Sequence, residues 1–297
     1  MGRDVADQYA SARDAFARAD AALSGEGISK LCFEGPIEAL TLTANTQPAL
    51  VATSSAIVAA IREAHPSLPK PALALGHSLG EYSALVAAGA LTLEDAVRIC
   101  RARGIAMQEA VPPGAGAMAA VLGADEATIR AVCEEASPLG HVAPANFNAP
   151  GQIVIAGDAA AVAKASELLG ARKAKVIPLK VSAPFHCALM KPAAARLADA
   201  LASVTVNPLS MPVIANVDAA PNDDAGRVKE LLVKQVDSPV EWTRSIERAA
   251  EMGVDVALEI GPGKVLGGLV KRIDKRIRVI HVSHAEAVAG LPAALNA

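Results

Sequence analysis

Residues 73–85 read LALGHSLGEYSAL: an apolar run enters a Gly-x-Ser-x-Gly turn and leaves in a helical pattern. Where a strand passes sharply into a helix, a serine hydroxyl is lifted off the sheet, and flanking glycines relieve crowding at the strained corner. Ser78 is therefore a candidate nucleophile. The N–H of Leu79, aligned with the helix N-terminus, is a candidate donor to a developing oxyanion. Serine at neutral pH needs a base within hydrogen-bond reach, and histidine is the expected one. Among the six histidines, His77 adjoins Ser78 and should turn away into packing, His65 precedes Pro66 in a polar loop, and His141 opens a strand. His281 and His284 form the one close pair, with no Cys or acidic ligand beside them to make a metal site. His186, in SAPFHCALM, falls in a loop between two patterned regions, the kind of crevice where ligands bind, and is the candidate base.

An orienting carboxylate is not evident. No Asp or Glu adjoins His186, and Asp218, Asp237 and Glu259 follow with nothing to select one. The lipase-type His-Gly-Gly-Gly oxyanion motif is also absent, which counts against an ordinary esterase. Arg98, Arg101 and Arg103 share the helix after the elbow, and composition does not separate a solvated face from a ligand.

The elements that must position these residues follow from periodicity. Helices are expected over 4–23, over 47–64 with Pro48 in the first turn, from the elbow to Gly89, and over 93–110, where Thr92 and Asp95 resemble a capping box. PALALG and MPVIANV read as buried strands, PVEWTRSIERAAEMG as a helix from Pro239, VDVALEI as a strand and GKVLGGLVKRI as a helix. Between 113 and 181 the order is β-α-β-β-α-β, that of a ferredoxin-like unit able to bury its own sheet face. The expected fold class is α/β: an α/β-hydrolase-like parallel-sheet core formed by 1–112 and 182–297, with 113–181 inserted as a small ferredoxin-like (βαββαβ) subdomain.

Composition limits the function. Hydrophobic residues make up 52% of the 297 positions but aromatics only 2%, so the core must be built from Ala, Val, Leu and Ile, as in helices packed tightly on a parallel sheet. A net charge of -3 with no basic run excludes nucleic acid as a partner. His77, Ser78 and Glu81 interrupt the longest apolar stretch, no membrane span is present, and the charged start MGRDVADQYA lacks a secretory core. The expectation is a soluble, cytoplasmic protein. The four cysteines, Cys32, Cys100, Cys133 and Cys187, are too scattered for a zinc site or disulfide framework, so no metal is expected.

Several segments together resemble the malonyl-CoA:acyl carrier protein transacylase family: TANTQPAL, GHSLGEYSALVAAGAL, RARGIAMQEAVPPGAGAM, NFNAPGQIVIAG, APFHCALMKPAA, SPVEWTRSIE and EIGPGKVL. They occur in the family's order over nearly the whole chain. The resemblance implies Ser78 as nucleophile and His186 as base. It implies that a main-chain carbonyl, by position that of Gln235, replaces the missing carboxylate. It also selects Arg103, followed by Gly104, as the residue that grips the malonyl carboxylate. Phe185 resembles the malonyl-type rather than the methylmalonyl-type signature. The implied reaction is ping-pong transfer of malonyl from malonyl-CoA to the phosphopantetheine thiol of acyl carrier protein, in fatty acid biosynthesis, with no cofactor. A monomer is expected on a separate ground, the lack of a long apolar surface pattern in the sequence. The carrier is acidic in general, and Lys191, Lys264, Lys271 and Arg272 are candidates to meet it.

One departure stands out. Members of the family begin with a strand and a Gly-Gln-Gly loop whose glutamine joins the oxyanion hole, and this sequence starts after that point. Gln47 belongs to a different segment and does not take that role. The expectation is that the native chain extends upstream of Met1. Two other readings share the elbow: a serine hydrolase, which would release free acid to water, and a weakly active fragment that still binds CoA or carrier protein.

Overall fold

The computed structural model describes residues 1–181 and 183–296; Ser182, where the second part of the large unit was expected to begin, and Ala297 lie outside the described residues. The chain opens with a helical layer. Helix α1 (Arg3–Gln8) and α2 (Ala10–Ala22) replace the single helix expected over 4–23, because Tyr9 is extended at φ -115°, ψ 126°. Arg13 Nη1 donates to the Ala6 and Asp7 carbonyls at 2.9 and 3.0 Å, supplying partners at the broken ladder. Short helices α3 (Ile28–Glu34) and α4 (Ile37–Thr41) follow, which the periodicity did not indicate.

Helix α5 (Thr43–Ala64) begins a turn before the expected start, so Pro48 lies inside it. Proline has no N–H for the carbonyl of Ala44. Arg101 Nη1 donates to that carbonyl instead, at 3.0 Å. Arg101 belongs to α7 (Leu93–Glu109), which packs on α5, and the buried positions of the two helices include many small residues, among them Ala49, Ala52, Ala56, Ala96 and Cys100. This is how an aromatic-poor core packs densely. A Cβ on Gly104 would lie 2.7 Å from both the Thr43 carbonyl oxygen and Ala44 Cα, so this glycine sets the approach of the two helices. Of the expected capping box only half forms: Asp95 N donates to Thr92 Oγ1 at 3.0 Å, while the Asp95 carboxylate takes the Thr92 hydroxyl and Arg98 rather than the Thr92 N–H.

The middle of the chain runs β2 (Gly116–Leu122), α8 (Glu126–Ala136), β3 (Val142–Ala149), β4 (Gln152–Asp158), α9 (Ala159–Ala171) and β5 (Lys175–Pro178). The strands form an antiparallel sheet in the order β3-β4-β2-β5. Alternation along the strands gives the sheet two faces. On one, Val121, Ile153 and Ile155 pack with Ile129 and Val132 of α8 and Val162 and Leu169 of α9. On the other, Met118, Ala145, Val154 and Ala156 cluster with Cys187, Phe185 and Leu189, so the loop that carries His186 lies on this sheet.

The remaining strands are parallel where they serve the elbow. Strand β1 (Ala74–Leu75) pairs with β6 (Val213–Ile214) in the register Ala74 to Val213 and Leu75 to Ile214, and β7 (Pro221–Asn222) adds antiparallel to β6. Strand β8 (Val256–Ile260) pairs in parallel with β9 (Arg278–Val282). These strands are shorter than the runs PALALG and MPVIANV suggest, and among the described residues the parallel sheet is in two pieces. Helix α6 (Gly80–Ala87) follows the elbow. Helices α10 (Lys191–Ala202) and α11 (Ala225–Asp237), absent from the sequence reading, precede α12 (Trp242–Glu251) and α13 (Val265–Ile273); α14 (Ala285–Ala289) and α15 (Leu291–Asn296) close the chain. Helix α12 starts later than Pro239 because Val240 is drawn into an extended bridge, its N–H on Ala145 and its carbonyl accepting from Phe147, both at 2.9 Å.

Candidate active site

The elbow connects β1 to α6 directly. Ser78 sits at φ 52°, in the left-handed region that side chains rarely adopt. Gly76 makes the turn possible, since a Cβ there would lie 2.1 Å from the carbonyl carbon and oxygen of Gly80. Gly80 is different: a Cβ on it would meet nothing within 4 Å, so only the first glycine of the motif relieves crowding. The expected result is that Gly76→Ala destabilises the protein by at least about 3 kcal/mol, since backbone cannot yield as a side chain would. Gly80→Ala should stay within roughly 1 kcal/mol of wild type, alanine being the better helix former. Thermal unfolding of both variants checks the asymmetry.

Parallel pairing carries a partner to the elbow. Two residues beyond β6, Asn216 lies alongside Gly76 and Ser78, where its Oδ1 accepts from Ser78 N at 2.6 Å and its Nδ2 donates to the Gly76 carbonyl at 2.7 Å. Ser78 N–H is thereby occupied. No hydrogen bond among the described residues engages the N–H of Leu79, which leaves it as the elbow amide free to meet an oxyanion.

His186 also has positive φ, 60°, and is 4% exposed. Its Nε2 lies 2.8 Å from Ser78 Oγ, and its Nδ1 lies 2.9 Å from the main-chain carbonyl oxygen of Gln235, in the last turn of α11. A carbonyl only accepts, so Nδ1 carries the hydrogen and Nε2 presents its lone pair to the serine hydroxyl. Burial first, and the Arg103 charge second, lower the His186 pKa to about 3. The ring is neutral at physiological pH.

Arg103, from α7, is 2% exposed. Its Nη2 donates to Ser78 Oγ at 3.1 Å and to Gln235 Oε1 at 2.8 Å, and its Nη1 donates to Gln47 Oε1 at 2.6 Å. The guanidinium carbon stands 5.5 Å from the centroid of the Tyr82 ring, and Nε is buried with no hydrogen-bond partner among the described residues. Gln47 is thus at the site through Arg103, a role the sequence did not suggest. Arg98, by contrast, pairs with Asp95 at the surface, and Arg101 binds Ala44, Asn45 and Glu26.

The other candidates go elsewhere. His77 Nε2 meets Asn148 Oδ1 at 2.8 Å and its ring lies 5.4 Å from that of Trp242, tying the elbow to β3. His65 binds the Val288 carbonyl, and Glu259 caps α13 while pairing with His281. Asp218 pairs with Arg227. Lys191, Lys264 and Lys271 are exposed, whereas Arg272 is also engaged by Gln152 and the Pro150 carbonyl. Among the described residues no group of three or more His, Cys, Asp or Glu could hold a metal, and no helix is long and apolar enough to cross a membrane.

A mixed α/β chain with a strained serine after a strand, and an imidazole on its hydroxyl, has the architecture of acyl-transfer enzymes that work through an acyl-serine. Comparison with known proteins narrows this class. Residues 1–290 match the model of the acyl transferase domain family, and the chain belongs to that family. It is 48% identical over 274 residues to the malonyl CoA-acyl carrier protein transacylase of Escherichia coli K12, covering 92% of this chain and 88% of that one. The crystal structure of an acyl-carrier-protein S-malonyltransferase from Bartonella henselae superposes with a TM-score of 0.95 at 44% identity, covering 100% of this chain and 95% of that one. A type II PKS acyl-carrier protein in complex with its malonyl-transacylase matches at a TM-score of 0.93 and 42% identity, over 98% of this chain and 93% of that one.

Proposed function

We propose that this chain is a malonyl-CoA:acyl carrier protein S-malonyltransferase of fatty acid biosynthesis. The observation that carries the reading is the double engagement of one hydroxyl: Ser78 Oγ meets a neutral imidazole at 2.8 Å and a buried guanidinium at 3.1 Å. An acyl group attached there brings its far end among the arginine's donors, which suits an acid that carries a second, free carboxylate.

In the first half-reaction His186 Nε2 takes the Ser78 proton as Oγ attacks the thioester carbonyl. The oxyanion faces the Leu79 N–H and the N-terminus of α6. Collapse expels the CoA thiolate, which recovers the proton from His186, and malonyl remains as an ester on Ser78. The carboxylate offsets the Arg103 charge, one of the causes that lower the His186 pKa. In the second half-reaction the phosphopantetheine thiol of acyl carrier protein gives its proton to His186 and attacks the ester; the serine recovers that proton as malonyl leaves. These steps call on no metal or cofactor. Residues 113–181 act as a small subdomain whose sheet supports the His186 loop, with 1–112 and 182–297 as the catalytic unit. The location that fits this role is the cytoplasm.

Arg103→Ala should lower malonyl loading by roughly 100- to 1,000-fold, the equivalent of two charge-assisted hydrogen bonds, and acetyl loading far less. Arg103→Lys keeps the charge but not the planar fork and should recover only part of the loss. Competition between malonyl-CoA and acetyl-CoA checks this; unchanged preference in the alanine variant contradicts the assignment. The reading as a whole is tested by following malonyl-CoA with and without carrier protein. Transfer to the carrier thiol at a rate well above release of free malonate supports it. Equal release of free acid without a thiol would make the protein a hydrolase.

A further inference from the structure

Glu81, in the first turn of α6, is 3% exposed and has no part in the steps above. A buried carboxylate is unfavourable unless hydrogen-bonded. Both of its hydrogen bonds are accepted by one oxygen: Oε2 receives Asn216 N at 2.9 Å and Gln235 Nε2 at 2.8 Å. What its two partners hold sets this residue apart from an ordinary buried acid. The Asn216 side chain bonds Ser78 N and the Gly76 carbonyl. The Gln235 side chain donates to the Ser78 carbonyl at 3.0 Å and accepts from Arg103, while its main-chain oxygen faces His186 Nδ1. Both main-chain groups of the strained serine are thus held by residues tied to Glu81 Oε2.

Chemistry also makes the arrangement directional. A glutamine amide can sit either way round in a pocket, but Arg103 only donates and Glu81 Oε2, in its ionised form, only accepts, so Gln235 has one orientation that satisfies both. Without the acceptor, Nε2 loses one of its two partners and the Asn216 N–H is left buried and unpaired, which loosens both contacts on Ser78. Displacements on the order of 1 Å at a reacting atom are enough to slow chemistry by about 100-fold.

We propose that Glu81 is a positioning residue for formation of the acyl-serine: its Oε2 fixes Asn216 and Gln235, and through them the backbone of Ser78 and the guanidinium of Arg103. The function needed is an acceptor at Oε2 rather than a negative charge. Burial raises the Glu81 pKa to about 7, so the neutral glutamine isostere is a fair replacement.

This rests on Ser78 as the nucleophile, and the experiment separates the two claims. The rate of malonyl attachment from malonyl-CoA is followed by intact mass in a single turnover for wild type, E81Q and E81M, each first checked for folding by circular dichroism. Methionine fills the space without accepting. E81M should load about 30- to 100-fold more slowly, mainly in the rate constant rather than the half-saturating concentration, and E81Q should stay within roughly fivefold of wild type. E81M within about threefold of wild type, or E81Q falling as far as E81M, overturns the proposal. If E81M does not fold, E81L, which is likewise apolar and accepts no hydrogen bond, is read in its place, and a loss above about 30-fold in E81Q is decisive against the proposal by itself. A wild-type protein that takes no label overturns the Ser78 reading and this one with it; a labelled wild type with an equally fast E81M overturns only the role of Glu81.

Discussion

Ser78→Ala is expected to lower malonyl transfer by at least about 10,000-fold, the loss typical of removing the nucleophile from a serine enzyme. The variant should still fold. Alanine deletes only Oγ, and the contacts that hold the elbow, from Asn216 to Ser78 N and from Gln235 to the Ser78 carbonyl, are made to the main chain. Nor should it lose malonyl-CoA, because Arg103 keeps its bonds to Gln47 and Gln235. Single-turnover transfer, with thioester binding measured beside it, checks both halves of the prediction. A variant that retains a tenth of the transfer rate would place the chemistry elsewhere.

His186→Ala is expected to cost about 1,000-fold, within the range for loss of a positioned general base. In the proposed mechanism serine and histidine act as a unit, so the double variant should be no slower than Ser78→Ala alone. The pH dependence identifies the base more sharply. A free imidazole titrates near 6.5, and its neutral fraction falls by about fifteenfold between pH 6.5 and 5. In the folded protein burial and Arg103 lower the His186 pKa to about 3. Its base form therefore persists as pH falls through that window and is lost only near the lower value. The second-order loading rate of wild type should change by less than about threefold from pH 6.5 to 5. A fifteenfold decline would show that His186 titrates as an ordinary imidazole.

The parts of this site that could be read from sequence are those with a local signature. Ser78 is marked by the turn that carries it, and His186 by its loop between two patterned regions. Both prove to sit at positive φ, a strain no residue type announces. The βαββαβ order was legible because each strand and helix there is long enough to show its own period. The parallel strands were less so: β1 and β6 each cover two residues, and apolar runs do not say where pairing stops.

The residues that hold Ser78 were not legible, for a physical reason. Asn216, Glu81, Gln47 and the Gln235 side chain act through tertiary contacts, and a lone amide has no spacing that betrays it. Two signals were available. Asn216 lies next to the end of MPVIANV, a run read as a strand of a parallel-sheet core, and the observed parallel pairing of that strand with β1 is what brings it beside the elbow. Glu81 is a single acid in the apolar segment EYSALVAA, a position that burial makes unfavourable unless the carboxylate is engaged. Gly80 departs in the opposite sense, since the motif predicts a glycine that relieves crowding where the structure leaves open space.

The most direct test of the account is peptide mapping of the protein quenched in acid after brief exposure to malonyl-CoA, before and after addition of a phosphopantetheine thiol. One malonyl group is expected, on the peptide that holds Ser78, discharged to the thiol and absent from Ser78→Ala. Release of CoA with no labelled peptide, or a label that persists when Ser78 is replaced, would contradict it.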